Sequence, residues 1–135
     1  MSDETRRLEN LSEAECRALL SEHHLARLAV VVDGQPIVVP VNYVFDGSRL
    51  AIRSDPGSKL TASDLGRVAL EIDGIDEDER RGWSVLVQGR GHDITDALDE
   101  VSEAMRTLPV DPWAPGPKAY WIRIDPTLIS GRRVH

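Results

Sequence analysis

The chain has 135 residues, 41% of them hydrophobic and 29% charged, with a formal net charge of -7, which fits one ordinary globular domain around a single core. The acidic balance argues against nonspecific binding to nucleic acid or to an anionic membrane. No apolar run approaches the roughly 18 residues needed to span a bilayer, and the first ten residues lack the apolar core of a secretory signal, so a cytoplasmic location is the expectation.

In chain order, Ser12-Glu13-Ala14-Glu15 reads as a capping box with Ser12 as N-cap. Leu11, Cys16, Leu19 and Leu20 then recur at helical spacing, which predicts a short helix to about Glu22. Cys16 is the chain's one cysteine, so no internal disulfide forms, and its place in that helix predicts a small buried hydrophobe. Leu25 to Val32 is a β-branched, apolar run that stops at Asp33-Gly34, a strong hairpin signal. A second strand over Pro36 to Phe45, a tight Asp46-Gly47 turn and a third strand over Arg49 to Arg53 complete a meander. Asp55-Pro56-Gly57-Ser58 predicts a turn that opens a short helix from Lys59 to about Leu65.

Val68 to Ile72 reads as a fourth strand, and Glu77-Asp78-Glu79-Arg80-Arg81 as a solvated connection. A long strand follows from near Trp83 to about Ile94, with Gly89 and Gly91 pointing to a bulge or a close approach by another part of the chain. Asp96 to Thr107 has the pattern of a second helix with Leu98, Val101 and Met105 on one face. A loop with prolines at 109, 112, 115 and 117 leads to a last strand, Ala119 to Ile124, which Leu128 to Val134 extends. No repeat or linker divides the chain. The fold class expected is mainly β, an antiparallel β-barrel with short helices.

The chemistry concentrates where the third strand ends. Arg53 offers a planar fork, Lys59 a point charge, Ser54 and Ser58 hydroxyl donors, and the helix start after Pro56 free amides, a set suited to a phosphate. The alternative is that Arg53 and Lys59 are surface charges and Ser58 merely caps a helix. Neighbouring His23 and His24 point apart, which disfavours a shared metal. His92 is a candidate proton donor or a structural histidine. No nucleophilic triad and no zinc-type spacing is present.

The capped helix, the HLARLAVVVDGQPIVVPVNYVFDGSRLAIRS meander, GSKL at a helix start and GWSVLVQGRG occur in an order that resembles the pyridoxamine-phosphate-oxidase-like FMN-binding proteins. The resemblance runs from about Leu11 to Arg132 and is nearest the small actinobacterial-type members. It implies a six-stranded antiparallel split barrel, a homodimer, and two FMN sites at the subunit interface. By position it places Arg53, Ser54, Ser58 and Lys59 around the FMN phosphate, with Pro40, Val41, Asn42 and Tyr43 along the neighbouring strand close to the ring. Gly82, Trp83 and Ser84 would come from the other subunit, and Gln88 and Arg132 would add polar contacts. The ending Gly131-Arg132-Arg133-Val134-His135 does not match the substrate-binding segment of the true pyridoxamine phosphate oxidases.

The resemblance implies an FMN-dependent oxidoreductase passing hydride between a reduced nicotinamide or another donor and a small organic acceptor. Two alternatives stand beside it. One is a deazaflavin-dependent reductase of the same fold, its acidic tail on Arg53, Lys59, Arg90, Arg132 and Arg133. The other is a non-catalytic module that binds flavin or haem.

Overall fold

The computed structural model describes residues 6–55 and 65–135. Among the described residues seven strands, β1 (Leu8–Asn10), β2 (Leu25–Val32), β3 (Gln35–Phe45), β4 (Leu50–Ser54), β5 (Gly66–Asp76), β6 (Arg81–Asp93) and β7 (Tyr120–Val134), are accompanied by helices α1 (Glu13–Glu22) and α2 (Glu100–Met105). The strands form because buried and exposed positions alternate. Ala26, Leu28 and Val30 of β2 face inward while Leu25, Arg27 and Val31 face out, the two-residue period of a pleated strand.

All pairings are antiparallel, in the order β4-β3-β2-β5-β6-β7, and β7 returns to β4 to close a ring of six. The mainly β split barrel expected from the sequence is therefore the observed fold. β7 runs beside β6 from Ile122 to Val134. Its opposite edge is taken first by β4, over Tyr120 to Ile124, and then by β1, which sets Leu8 against Val134. The short β1 was not expected, since three residues carry too little pattern to read.

The first hairpin turn holds Asp33 at φ 52° and Gly34 at φ 77°, the left-handed pair of a two-residue type I′ turn. The second is the tight turn expected at Asp46-Gly47, with the Asp46 amide donating to the Arg49 carbonyl at 3.0 Å. Phe45 pairs with Leu50, and Asp46 Oδ1 accepts from the amides of Ser48 and Arg49 at 2.8 and 2.6 Å, so the aspartate organises a four-residue loop. The expected irregularity in the long strand is a bulge between Gln88 and Gly89 where β6 meets β7. A Cβ at Gly89 would lie 2.2 Å from the Asp125 carbonyl oxygen, so only glycine fits that crossing.

α1 begins at the capping box read from the sequence, with the Glu15 amide donating to Ser12 Oγ at 3.1 Å. Its Cys16 and Leu20 are fully buried in the main core inside the ring, and burial raises the Cys16 thiol pKa. The second helix is shorter than the expected Asp96–Thr107. Asp99 accepts from the Ser102 amide at 3.0 Å and becomes the N-cap, which starts the helix late. That start turns Ser102 and Met105 inward and leaves Leu98 84% exposed, so the apolar face read from the sequence is corrected.

A second, smaller core of Ala51, Ile94, Met105 and Val110, joined by Val44 and Trp121, lies on the outer side of the ring. It fixes the chain between β6 and β7 over β3 and β4. The turn and short helix expected after Asp55 fall on residues 56–64, outside the described residues.

Candidate functional site

Alternation turns Pro40 and Asn42 of β3 and Arg53 of β4 to the outer face of the ring, and the segment before β7 passes over them. The result is a groove of about 170 Å³ lined by Pro40, Val41, Asn42, Arg53, Ser54 and Lys118, with Asp55 at its border. Arg53 donates through Nε and Nη2 to the Lys118 carbonyl at 3.1 and 2.9 Å, and its guanidinium carbon lies 5.2 Å from the centre of the Trp121 ring. These contacts hold the fork in place and leave the Nη1 edge without a hydrogen bond among the described residues. Lys118 Nζ donates to the Pro115 carbonyl at 3.0 Å and sits 3.7 Å from Asp55 Oδ2. Ser54 is buried, its hydroxyl donating to the Asp55 carbonyl at 3.3 Å. The Trp113 amide donates to Asn42 Oδ1 at 2.9 Å and pins the proline-rich loop to the groove.

Five of the residues read from the sequence are thus brought together, and Lys118 joins them unannounced. Its role follows from the pairing of Ser54 with Tyr120, a contact between distant parts of the chain. Tyr43 departs from the group. Its ring is buried and its hydroxyl donates to the Leu20 carbonyl at 2.8 Å, so the side chain belongs to the core. Ser58 and Lys59 lie outside the described residues. The groove has the donors for a phosphate, but 170 Å³ is below the roughly 300–1,000 Å³ of sites that enclose a whole ligand of drug size.

The remaining candidates lie elsewhere. Gly82, Trp83, Ser84 and Arg132 line two adjoining grooves of about 510 and 550 Å³ at the end of the β5–β6 hairpin. The Trp83 indole rests on Gly74, where a Cβ would fall 2.6 Å from Nε1, and the His23 ring lies 4.9 Å from the Trp83 ring. Gln88 lines a separate groove of about 330 Å³ with Arg67, Arg90 and Leu128.

A further cavity of about 410 Å³ adjoins the first groove through Pro40 and is lined by His23, His24, Arg27, Asp73 and Trp113. Beside it Arg27 Nη1 lies 3.3 Å from Glu71 and 3.0 Å from Asp73. Burial, and then the Asp73 carboxylate, push the Glu71 pKa up to about 7 although Arg27 pulls the other way. His92 Nε2 lies 3.3 Å from Asp125, a structural pairing at the bulge. Among the described residues no group of three or more His, Cys, Asp or Glu is placed to hold a metal. No described helix is long and apolar enough to cross a membrane.

Comparison with known proteins gives a consistent picture. The family model described as pyridoxamine 5'-phosphate oxidase matches residues 12–133. An uncharacterized protein of Rhizobium meliloti is 33% identical over 132 residues, covering 93% of this chain and 83% of its own. Among solved structures, the FAD binding protein of Mycobacterium smegmatis shares 28% identity at a TM-score of 0.68, covering 94% of this chain and 98% of its own. A FAD-binding protein of Mesorhizobium loti shares 28% identity at a TM-score of 0.71, covering 96% and 98%.

Proposed function

The chain belongs to the pyridoxamine 5'-phosphate oxidase family, and from that premise we propose that it is a flavin-dependent oxidoreductase acting as a homodimer. The observation that carries the reading is the Arg53 groove. A fork locked by Lys118 and Trp121, with one edge unbonded among the described residues and set beside Ser54 and Lys118, is preorganised for the phosphate of FMN or the corresponding end of FAD. The family resemblance adds Ser58 and Lys59, which lie outside the described residues, as further phosphate donors, and Pro40, Val41 and Asn42 border the ribityl chain and ring in this reading.

A bound flavin supplies hydride acceptance and donation. The chain's own residues bind it, orient it and exclude water. Because the groove holds little more than a phosphate-sized end, the ring needs a second wall. Gly82, Trp83, Ser84, Gln88 and Arg132 of a second copy are the candidates for it, which is why the reading includes a dimer. Two solved relatives are described as FAD-binding proteins, and this favours FAD as the flavin, with FMN the smaller alternative. The acceptor is a small organic molecule and the donor a reduced nicotinamide.

Titration of the purified protein with FMN and with FAD, followed by flavin fluorescence, tests the proposal. One flavin per subunit is expected. Each lost charge-assisted contact in Arg53→Ala or Lys59→Ala should cost about 1.5–3 kcal/mol of flavin binding. An unchanged dissociation constant in the double variant would remove the phosphate assignment.

A further inference from the structure

The proline-rich loop ahead of β7 leaves an indole in the open. Trp113 is 69% exposed, yet its backbone is fixed, because its amide donates to Asn42 Oδ1 at 2.9 Å. Pro112 and Ala114 on either side of it line the Arg53 groove, whereas Trp113 lines the adjoining cavity of about 410 Å³. Three consecutive residues thus border two sites that share Pro40, and the flavin phosphate accounts for only one of them.

The groups around the second cavity are mostly acceptors. Glu22 and Asp73 line it, and Glu71 stands beside Asp73 at the same guanidinium. His24 Nδ1 lies 3.3 Å from the Tyr43 carbonyl. That carbonyl can only accept, so Nδ1 carries the proton and Nε2 of the neutral ring is an acceptor. Arg27 is the one lysine or arginine lining the cavity, and it is already engaged, 3.3 Å from Glu71 and 3.0 Å from Asp73. Three carboxylates around one guanidinium leave an excess of negative charge. After burial, that crowding is what raises the Glu71 pKa.

A cation is attracted to the face of an indole. A carboxylate accepts parallel N–H bonds from a planar amidinium or guanidinium fork. A volume of about 410 Å³ lies within the range of sites that enclose a small organic ligand. We propose that the cavity between Trp113, His24 and Asp73 binds a small planar organic cation, its ring against the indole and its N–H groups on Asp73. The binding itself is independent of the flavin reading above. Only the further step, that this cation is the small organic substrate of the flavin reaction, rests on it.

The test is calorimetric titration of the intact protein with benzamidinium and with benzamide, its neutral counterpart of the same shape. Benzamidinium should bind at least roughly tenfold more tightly than benzamide, and Asp73→Asn should abolish that preference. Trp113→Ala should weaken benzamidinium by roughly fivefold or more. Both variants should fold, since the indole is exposed, the amide that holds Asn42 is backbone, and Arg27 keeps Glu71 as a partner. Benzamidinium and FMN should bind together, because cation and phosphate occupy different cavities. Competition between them would give the cavity to the flavin and overturn the proposal. So would benzamide binding as tightly as benzamidinium, no binding of benzamidinium, or an affinity for it unchanged in either variant. Failure of the flavin reading shows separately: FMN and FAD do not bind, benzamidinium still does, and only the substrate role falls.

Discussion

The Tyr43 hydroxyl donates to the carbonyl of Leu20, two residues before the end of α1, where helix carbonyls lack partners of their own. A strand side chain thus closes the helix, and burial raises its phenol pKa. Tyr43→Phe leaves that carbonyl unsatisfied and should lower stability by about 1–3 kcal/mol, read as a shift in the denaturant midpoint. Flavin affinity should not change, because the ring faces the core. A fall in affinity without a fall in stability would place Tyr43 at the ligand after all. The strand period alone separates Tyr43 from Asn42, since one points in and the other out. Lys118 was not legible, because its carbonyl meets Arg53 only when the chain's last strand pairs with β4.

At the scale of the element, the outer face of β2 and β5 sets Glu71 and Asp73 around Arg27. The raised Glu71 pKa means that the folded protein holds this proton more tightly than the unfolded chain. The group's contribution to stability is therefore fully present below about pH 4.5 and is lost as pH rises toward about 7. Glu71→Gln should gain on the wild type across that window and keep a constant lead above it, in denaturation midpoints measured from pH 4 to 8. A constant difference at every pH would count against the assignment. The meander of β2, β3 and β4 was legible because alternation and two Asp-Gly dipeptides mark its strands and turns. The extent of α2 was not. Asp99 bonds the Ser102 amide and wins the start of the helix from Asp96, and a few residues of displacement exchange one helix face for another.

At the scale of the whole molecule, a row of small and apolar groups interrupted only by Gln88 crosses the outer sheet: Val38, Ala29, Ala69, Gln88 and Leu128 stand side by side in the register. Val38 and Leu128 are more than half exposed, a surface suited to a second copy of the chain. On the proposed dimer, Ala69→Arg should give a monomer by sedimentation while keeping the far-ultraviolet circular dichroism of the fold, and it should lose the proposed flavin affinity with it. A dimer that survives the arginine would move the interface elsewhere. The ring itself depends on β7, which pairs β4, β6 and β1 in turn. On the ribosome that strand emerges after all three of its partners. The meander is then complete while the β4 edge waits without its partner, so closure is a late event governed by contacts distant in sequence. The delay between synthesis of β4 and of β7 therefore sets how long an open, adhesive edge is displayed in the cell.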